Sequence, residues 1–198
     1  MMIDTDLLLA WGATFKKVPK NYTIFNEGDT CRFYYQLVSG RVRWLNINEE
    51  GKEFIQAIIY PGETFGEISL FDDEPYAAAA IADEEAVLLR LHKPVFTQLI
   101  KEYLDVHIKF TYLLAQTVRF KFMLLKALAC SDPENRINAL LKHLKKENKN
   151  FCIDCDQLNL TRQQIADMTG LRVETVIRSM RHMHERGELL ITKGKVHY

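Results

Sequence analysis

Glu174 and Arg178 are the side chains whose types and spacing best suit chemistry with a partner. Four residues apart, they share one surface of any helix that holds them. A guanidinium matches the O6 and N7 acceptors of guanine, and a carboxylate accepts from the N4 amine of cytosine. Arg172, Val173, Thr175, Arg181 and His182 surround the pair, with Thr161 and Arg162 upstream. The cations and hydroxyls among these suit phosphate oxygens, which position a protein on a duplex without reading its sequence. A Glu-x-x-x-Arg pair alone is an ordinary solvated ion pair, so its meaning depends on the elements that hold it.

Those elements are legible on both sides. Thr161, followed by Gln163 and Gln164, has the pattern of a helix capping box. The helix it opens turns Ile165 and Met168 inward, with Ala166 small enough to admit a neighbour, and Gly170 supplies a left-handed residue to end it. Leu171 plugs the turn, and a second helix follows with Val176, Met180 and Met183 on its apolar face. Two helices joined by a tight glycine turn, the second with a polar outer face, describe a helix-turn-helix. The stretch from Arg186 to Tyr198 then predicts a turn and a β-hairpin about Lys193-Gly194, which makes the motif winged.

Upstream, residues 15 to about 92 are strand-like. Turn signals at Asn26–Asp29, Ser39-Gly40, Asn48–Gly51 and Tyr60–Gly62 separate short runs rich in aromatic and β-branched residues. This spacing predicts a small antiparallel barrel or sandwich. From Pro94 to about Ala129 the period changes to that of a helix. Val106, Phe110, Leu113, Leu114, Thr117, Phe120 and Leu124 fall at helical spacing on one long helix. Such a helix needs something to pack on: a second copy of itself, giving a dimer seam, or the chain's own barrel. Ser131 or Asp132 can cap a further helix from Pro133 to Lys146, and Phe151–Cys155 alternates like a strand. The fold class expected is α+β, with a small antiparallel β-domain over residues 1–104, a long helix over 105–130 and a winged helix-turn-helix over 131–198.

Composition narrows the function classes. The net charge is +0, yet residues 1–130 carry a balance of −3 and residues 131–198 a balance of +3. The polyanion partner is therefore expected at the back of the chain. No apolar run is long enough to span a membrane, and Leu7–Trp11, after two aspartates, is too short for a secretory signal, so a cytoplasmic protein is expected. A metal-dependent cupin-type enzyme would need histidines on the barrel strands, and residues 15–91 contain none. Cys152 and Cys155 have metal-ligand spacing, but zinc wants four ligands and no second pair is evident. His92 and His107 are isolated and do not suggest haem. No enzyme, metal or cofactor is expected.

The chain resembles the Crp/Fnr regulators over almost its whole length. The resemblance is carried by Thr161–Ala166, Gly170-Leu171 and Val173–Arg178, and by the stretch Pro61–Phe71. It implies a cyclic-nucleotide-type β-roll, a dimer helix and a winged helix-turn-helix that binds palindromic double-stranded DNA as a homodimer, with RNA polymerase as a further partner. It also implies that Glu174 and Arg178 read a TGA-containing half-site. Cyclic-AMP-type members carry Arg just before the Glu, where this chain has Val173, and the oxygen-sensing branch carries Ser just before the Arg, where this chain has Ile177. In nucleotide-binding members a Gly-Glu pair is followed by Arg-Ser, the Arg neutralising the cyclic phosphate. Gly66 and Glu67 match, but the Arg-Ser positions hold Ala77 and Ala78, and the residues expected over the adenine are Lys121 and Phe122. Without the guanidinium a buried phosphate lacks its bidentate partner. The effector pocket is therefore expected to be vestigial towards cyclic AMP, the alternative being another small ligand or a redox signal.

Overall fold

The structure, a computed structural model, describes residues 1–129, 132–152 and 155–198. The chain divides into two compact units, Met1–Ala115 and Gln116–Tyr198. Helix α1 (Thr5–Ala10) opens the first, its Asp4 cap accepting from the backbone of Asp6 and Leu7. Eight strands follow: β1 (Thr14–Val18), β2 (Thr23–Phe25), β3 (Phe33–Ser39), β4 (Val42–Ile47), β5 (Glu53–Ile59), β6 (Thr64–Phe65), β7 (Ala79–Ala82) and β8 (Ala86–His92). They form two four-stranded sheets of order β1-β8-β3-β6 and β2-β7-β4-β5, every pairing antiparallel. A short helix α2 (Ile68–Phe71) lies between β6 and β7, and α3 (Lys93–Glu102) follows β8. The turn spacing predicts a small antiparallel barrel or sandwich, and these two sheets are the β-roll that the resemblance implies.

The alternation of β3 explains how the unit is layered. Tyr34 stacks on Phe96 of α3 at 4.9 Å between ring centroids and meets Phe110 of the long helix α4 (Leu104–Ala129) edge-on at 6.0 Å. Tyr35, pointing the other way, joins Phe65 at 5.5 Å and Phe25 at 5.7 Å. Gln36 is buried but satisfied, accepting from Ile3 N and the Tyr34 hydroxyl and donating to Ile3 O.

Here the seam expected on the long helix needs correction. Val106 and Phe110 are buried in this chain's own β-roll core, with Leu113 packed against it, and Leu124 is buried too. The face left open runs through Leu104, Ile108 and Tyr112, and then through Val118, Phe122 and Leu125. The long helix carries two apolar stripes; of the expected seam, Val106, Phe110 and Leu124 are buried, whereas Leu114, Thr117 and Phe120 are half-buried.

In the second unit, α5 (Pro133–Lys146) starts at Asp132, whose side chain accepts from Glu134 N at 3.0 Å. The alternative cap, Ser131, lies outside the described residues, as do two positions of the strand expected at 151–155. Helices α6 (Arg162–Thr169) and α7 (Val173–Glu185) and the hairpin β9 (Leu190–Thr192) and β10 (Lys195–His197) complete it. Lys193 and Gly194 between those strands both have positive φ, 50° and 79°, as a two-residue hairpin turn requires.

One packing detail in this unit carries a pH dependence. His143 of α5 stacks on Phe120 of α4 with centroids 3.6 Å apart. Burial pulls its pKa below the ordinary 6.5, Lys149, Lys146 and Lys121 adding to the effect and Glu147 opposing it. The unfolded chain therefore takes up this proton first as pH falls. The stability involved is fully present above about pH 6.5 and is lost progressively below it. Thermal unfolding at pH 7.5 and 5.5 is expected to show a smaller loss for His143→Phe than for the wild type, and an equal loss in both would remove His143 as the cause.

Candidate nucleic-acid interface

The local sequence explains how α7 is presented. Thr161 Oγ1 accepts from Gln164 N at 3.1 Å while Gln164 Oε1 accepts from Thr161 N at 3.0 Å, closing the capping box at the start of α6. Ile165 and Ala166 are fully buried. Gly170 adopts φ 68°, and both its N–H and that of Leu171 donate to Ala166 O. This sharp turn sends α7 across α6. Val176, Ser179, Met180 and Met183 form the buried side of α7. Glu174, Arg178, Arg181 and His182 are exposed on the other. The first turn of α7 holds Glu174, where a carboxylate complements the helix dipole.

Of the supporting residues, Arg172 caps α7 through its backbone, leaving its side chain exposed. Val173 and Thr175 are half-buried. Arg162 reaches from α6 towards the wing turn, its Nη2 3.5 Å from Gly194 O. Thr161 is committed to its cap, so its hydroxyl orients α6 first.

Sequence reasoning missed an ion cluster behind the recognition surface. Glu134 at the start of α5 accepts from Arg186, which follows α7, and its other oxygen lies 3.7 Å from His182 Nδ1. Arg186 also donates to Glu188 at 2.8 Å. The cluster ties the end of α7 to α5 and faces His182 with a carboxylate, so His182 supports the helix end. Glu134 and Arg186 are 52 residues apart, and no local spacing announces them.

In the first unit, the segment around Gly66 is tightly filled. Gly66 has φ 72°, and a Cβ placed there would stand 2.8 Å from Phe25 Cζ and 3.0 Å from Tyr76 Cε1. Phe25 and Tyr76 are stacked with centroids 3.7 Å apart, and the Tyr76 hydroxyl donates to Phe33 O at 3.2 Å. Glu67 and Ala78 are buried, while Ala77 is exposed and its carbonyl accepts from Asn46.

Residues 15–103 match the cyclic nucleotide-binding domain and residues 135–197 the Crp-like helix-turn-helix domain. The chain is 31% identical over 194 residues to the cyclic AMP receptor protein of Thermus thermophilus, covering 98% of this chain and 87% of that protein. It is 28% identical over 197 residues to the cAMP-activated global transcriptional regulator CRP of Salmonella typhimurium, covering 97% and 93%. The chain belongs to the Crp/Fnr family of transcription regulators. As a Crp/Fnr regulator it is a DNA-binding protein and not an enzyme. Its fold is also that of FixK2 from Bradyrhizobium japonicum, with a TM-score of 0.74 at 21% identity over 93% of this chain and 91% of that one.

The residues expected to form the effector pocket divide between the two units. Gly66, Glu67, Ala77 and Ala78 belong to the first. Lys121 and Phe122 belong to the second, where Lys121 Nζ lies 5.9 Å from the Phe120 ring and Phe122 is 68% exposed. Among the described residues no group of His, Cys, Asp or Glu is arranged to hold a metal ion, and no helix is long and apolar enough to cross a membrane.

Proposed function

We propose that this regulator binds a palindromic DNA site as a homodimer, with α7 in the major groove, and that cyclic AMP does not switch it. The exposed face of α7 carries the reading. Glu174 and Arg178 stand free in the N-terminal half of a helix whose other side is buried, which is the half that reaches base edges. Arg162, Arg172, Thr175, Arg181 and the cap at Thr161 are then the phosphate-contacting and orienting set, with His182 and Val173 in support. Residence in the cytoplasm and contact with RNA polymerase follow from that role.

Fluorescence polarisation on duplexes with two, one or no TGA-type half-sites tests it. Affinity is expected to fall by about 10³-fold or more from two half-sites to none, the usual margin of specific over non-specific binding. Equal affinity for all three duplexes would overturn the reading.

The homodimer follows from the open stripe on α4. Leu104, Ile108, Tyr112, Val118, Phe122 and Leu125 are large apolar side chains spaced along one helix face and left in water. Apolar surface of that extent marks an interaction face, and a twofold pairing of this face with itself is self-complementary.

Two observations support indifference to cyclic AMP. The Ala77-Ala78 pair offers no cation to the phosphate, and Phe25 and Tyr76 already stand against Gly66. Calorimetric titration with cyclic AMP is expected to show no binding in the micromolar range. Restoring the pair by Ala77→Arg with Ala78→Ser is expected to leave the protein non-binding, because the rings still fill the space. Adding Phe25→Ala to that double variant is expected to raise affinity. Tight binding by the unaltered chain would overturn this part of the account.

A further inference from the structure

Cys152 and Cys155 take no part in the DNA-binding reading. On a strand, two positions three apart point to opposite faces, and the pair could not meet. The structure places them otherwise. Phe151 pairs with Leu158 in an isolated antiparallel bridge, and Cys152 N donates to Gln157 O at 2.8 Å. Inside that pairing Asp156 N donates to Cys152 O at 3.0 Å, and Asp156 takes φ 51°. These bonds close a chain reversal that carries both cysteines. Cα atoms i and i+3 of a tight reversal lie less than ~7 Å apart, and a disulfide spans roughly 4.4–6.8 Å between Cα atoms.

The reversal is also held from outside. Leu158 N donates to Val196 O at 2.8 Å, and Tyr198 N donates to Asp156 O at 3.3 Å. His197 Nδ1 stands 2.9 Å from Cys155 O, and Lys145 Nζ of α5 stands 3.5 Å from Asp156 Oδ1. Bonds to β10, to the last residue and to α5 therefore order the turn while both cysteines are thiols. Cys155 is exposed and Cys152 half-buried. Two thiolates are half of a closed zinc site, whereas they are all that a disulfide needs.

We infer that Cys152 and Cys155 form a thiol–disulfide exchange site whose oxidant is a low-molecular-weight disulfide. The thiolate of exposed Cys155 attacks one sulfur of that disulfide, breaking its S–S bond and releasing one small thiol. The thiolate of Cys152 then attacks Cys155 Sγ, forming the bond between the two cysteines and releasing the second small thiol. The pair loses two electrons, the small disulfide gains them, and the two thiol protons end on the two small thiols. Because the turn is already held, closing the ring needs little further ordering, so exchange favours the internal bond over the mixed disulfide. This inference is independent of the DNA reading.

The test equilibrates the full chain with mixtures of reduced and oxidised glutathione, quenches with acid, alkylates and digests with trypsin. Residues 150–162 then form one peptide that holds both cysteines. Mass spectrometry is expected to show two alkyl groups at the reducing end and none at the oxidising end, the peptide there being two hydrogens lighter. Cys152→Ser is expected to leave Cys155 as a stable glutathione mixed disulfide, and Cys155→Ser to acquire glutathione at Cys152 more slowly. A synthetic peptide of the same residues is the reference for an unheld pair. The folded chain is expected to be half-oxidised at about ten-fold less oxidised glutathione than the peptide, a small part of what fixed orientation can give. If the folded pair stays alkylated throughout, stops at the mixed disulfide, or oxidises no more readily than the peptide, the inference is overturned.

Discussion

Replacing Arg178 by alanine is expected to lower affinity for the specific site by roughly 5- to 150-fold, which corresponds to about 1–3 kcal/mol. The side chain is exposed and lies off the buried side of α7, so the melting temperature and the affinity for unrelated DNA are expected to stay close to wild type. Arg178→Lys should recover little of the loss, since an ammonium cannot make the paired contact to O6 and N7. Lys193→Ala in the exposed wing turn makes a useful contrast. A phosphate contact there would weaken binding to all sequences alike and reduce the salt dependence. If Arg178→Ala behaved as Lys193→Ala should, with a uniform loss and unchanged preference, Arg178 would be a phosphate ligand and the reading of the recognition helix would be wrong.

The second large effect concerns assembly. Ile108→Asp combined with Phe122→Asp places charges on the open stripe of α4, where both residues are exposed. Folding of each unit is expected to survive, because neither side chain belongs to a buried core. Analytical ultracentrifugation is expected to show the wild type at twice the mass of this variant. The variant is also expected to lose on the order of 10²–10⁴ in affinity for a palindrome, the gain that linking two half-site contacts normally gives. The parallel change at Phe110, Phe110→Asp, should instead unfold the first unit, since Phe110 is fully buried among Tyr34, Phe71 and Phe96. A double variant that remains dimeric would move the interface elsewhere.

These two surfaces differ in how far the sequence reveals them. The helix-turn-helix is legible because its cues are local: Thr161 and Gln164 for the cap, Gly170 for the turn, and the period of Val176, Met180 and Met183 for the buried side. The strands of the β-roll are equally marked by their turns. The long helix is different. Its apolar residues occupy two stripes, and periodicity alone cannot say which one is consumed by the chain's own core. The spacing of Val106 and Phe110 suits a dimer seam and the chain's own barrel alike, and Tyr34 and Phe96 claim Phe110 for the barrel.

Long-range juxtapositions lie further still from a linear reading. Nothing near Glu134 in sequence points to Arg186 or His182, and only the crossing of α5 and α7 brings them together. The packing around Gly66 is similar. The missing cation at Ala77-Ala78 is visible in sequence, whereas the stacking of Phe25 on Tyr76 against the glycine depends on β2 and the segment before β7 folding to one place. Both observations point the same way, towards a β-roll that does not wait for cyclic AMP.

Selection of bound duplexes from random-sequence DNA, with purified protein and no small molecule added, tests that account most directly. The expected result is enrichment of an inverted repeat with TGA-type half-sites whose centres lie about 34 Å apart, one helical turn of DNA. That result would make the free protein competent to read DNA as a dimer. Enrichment of no sequence above the starting pool, with binding restored on addition of cyclic AMP, would contradict it.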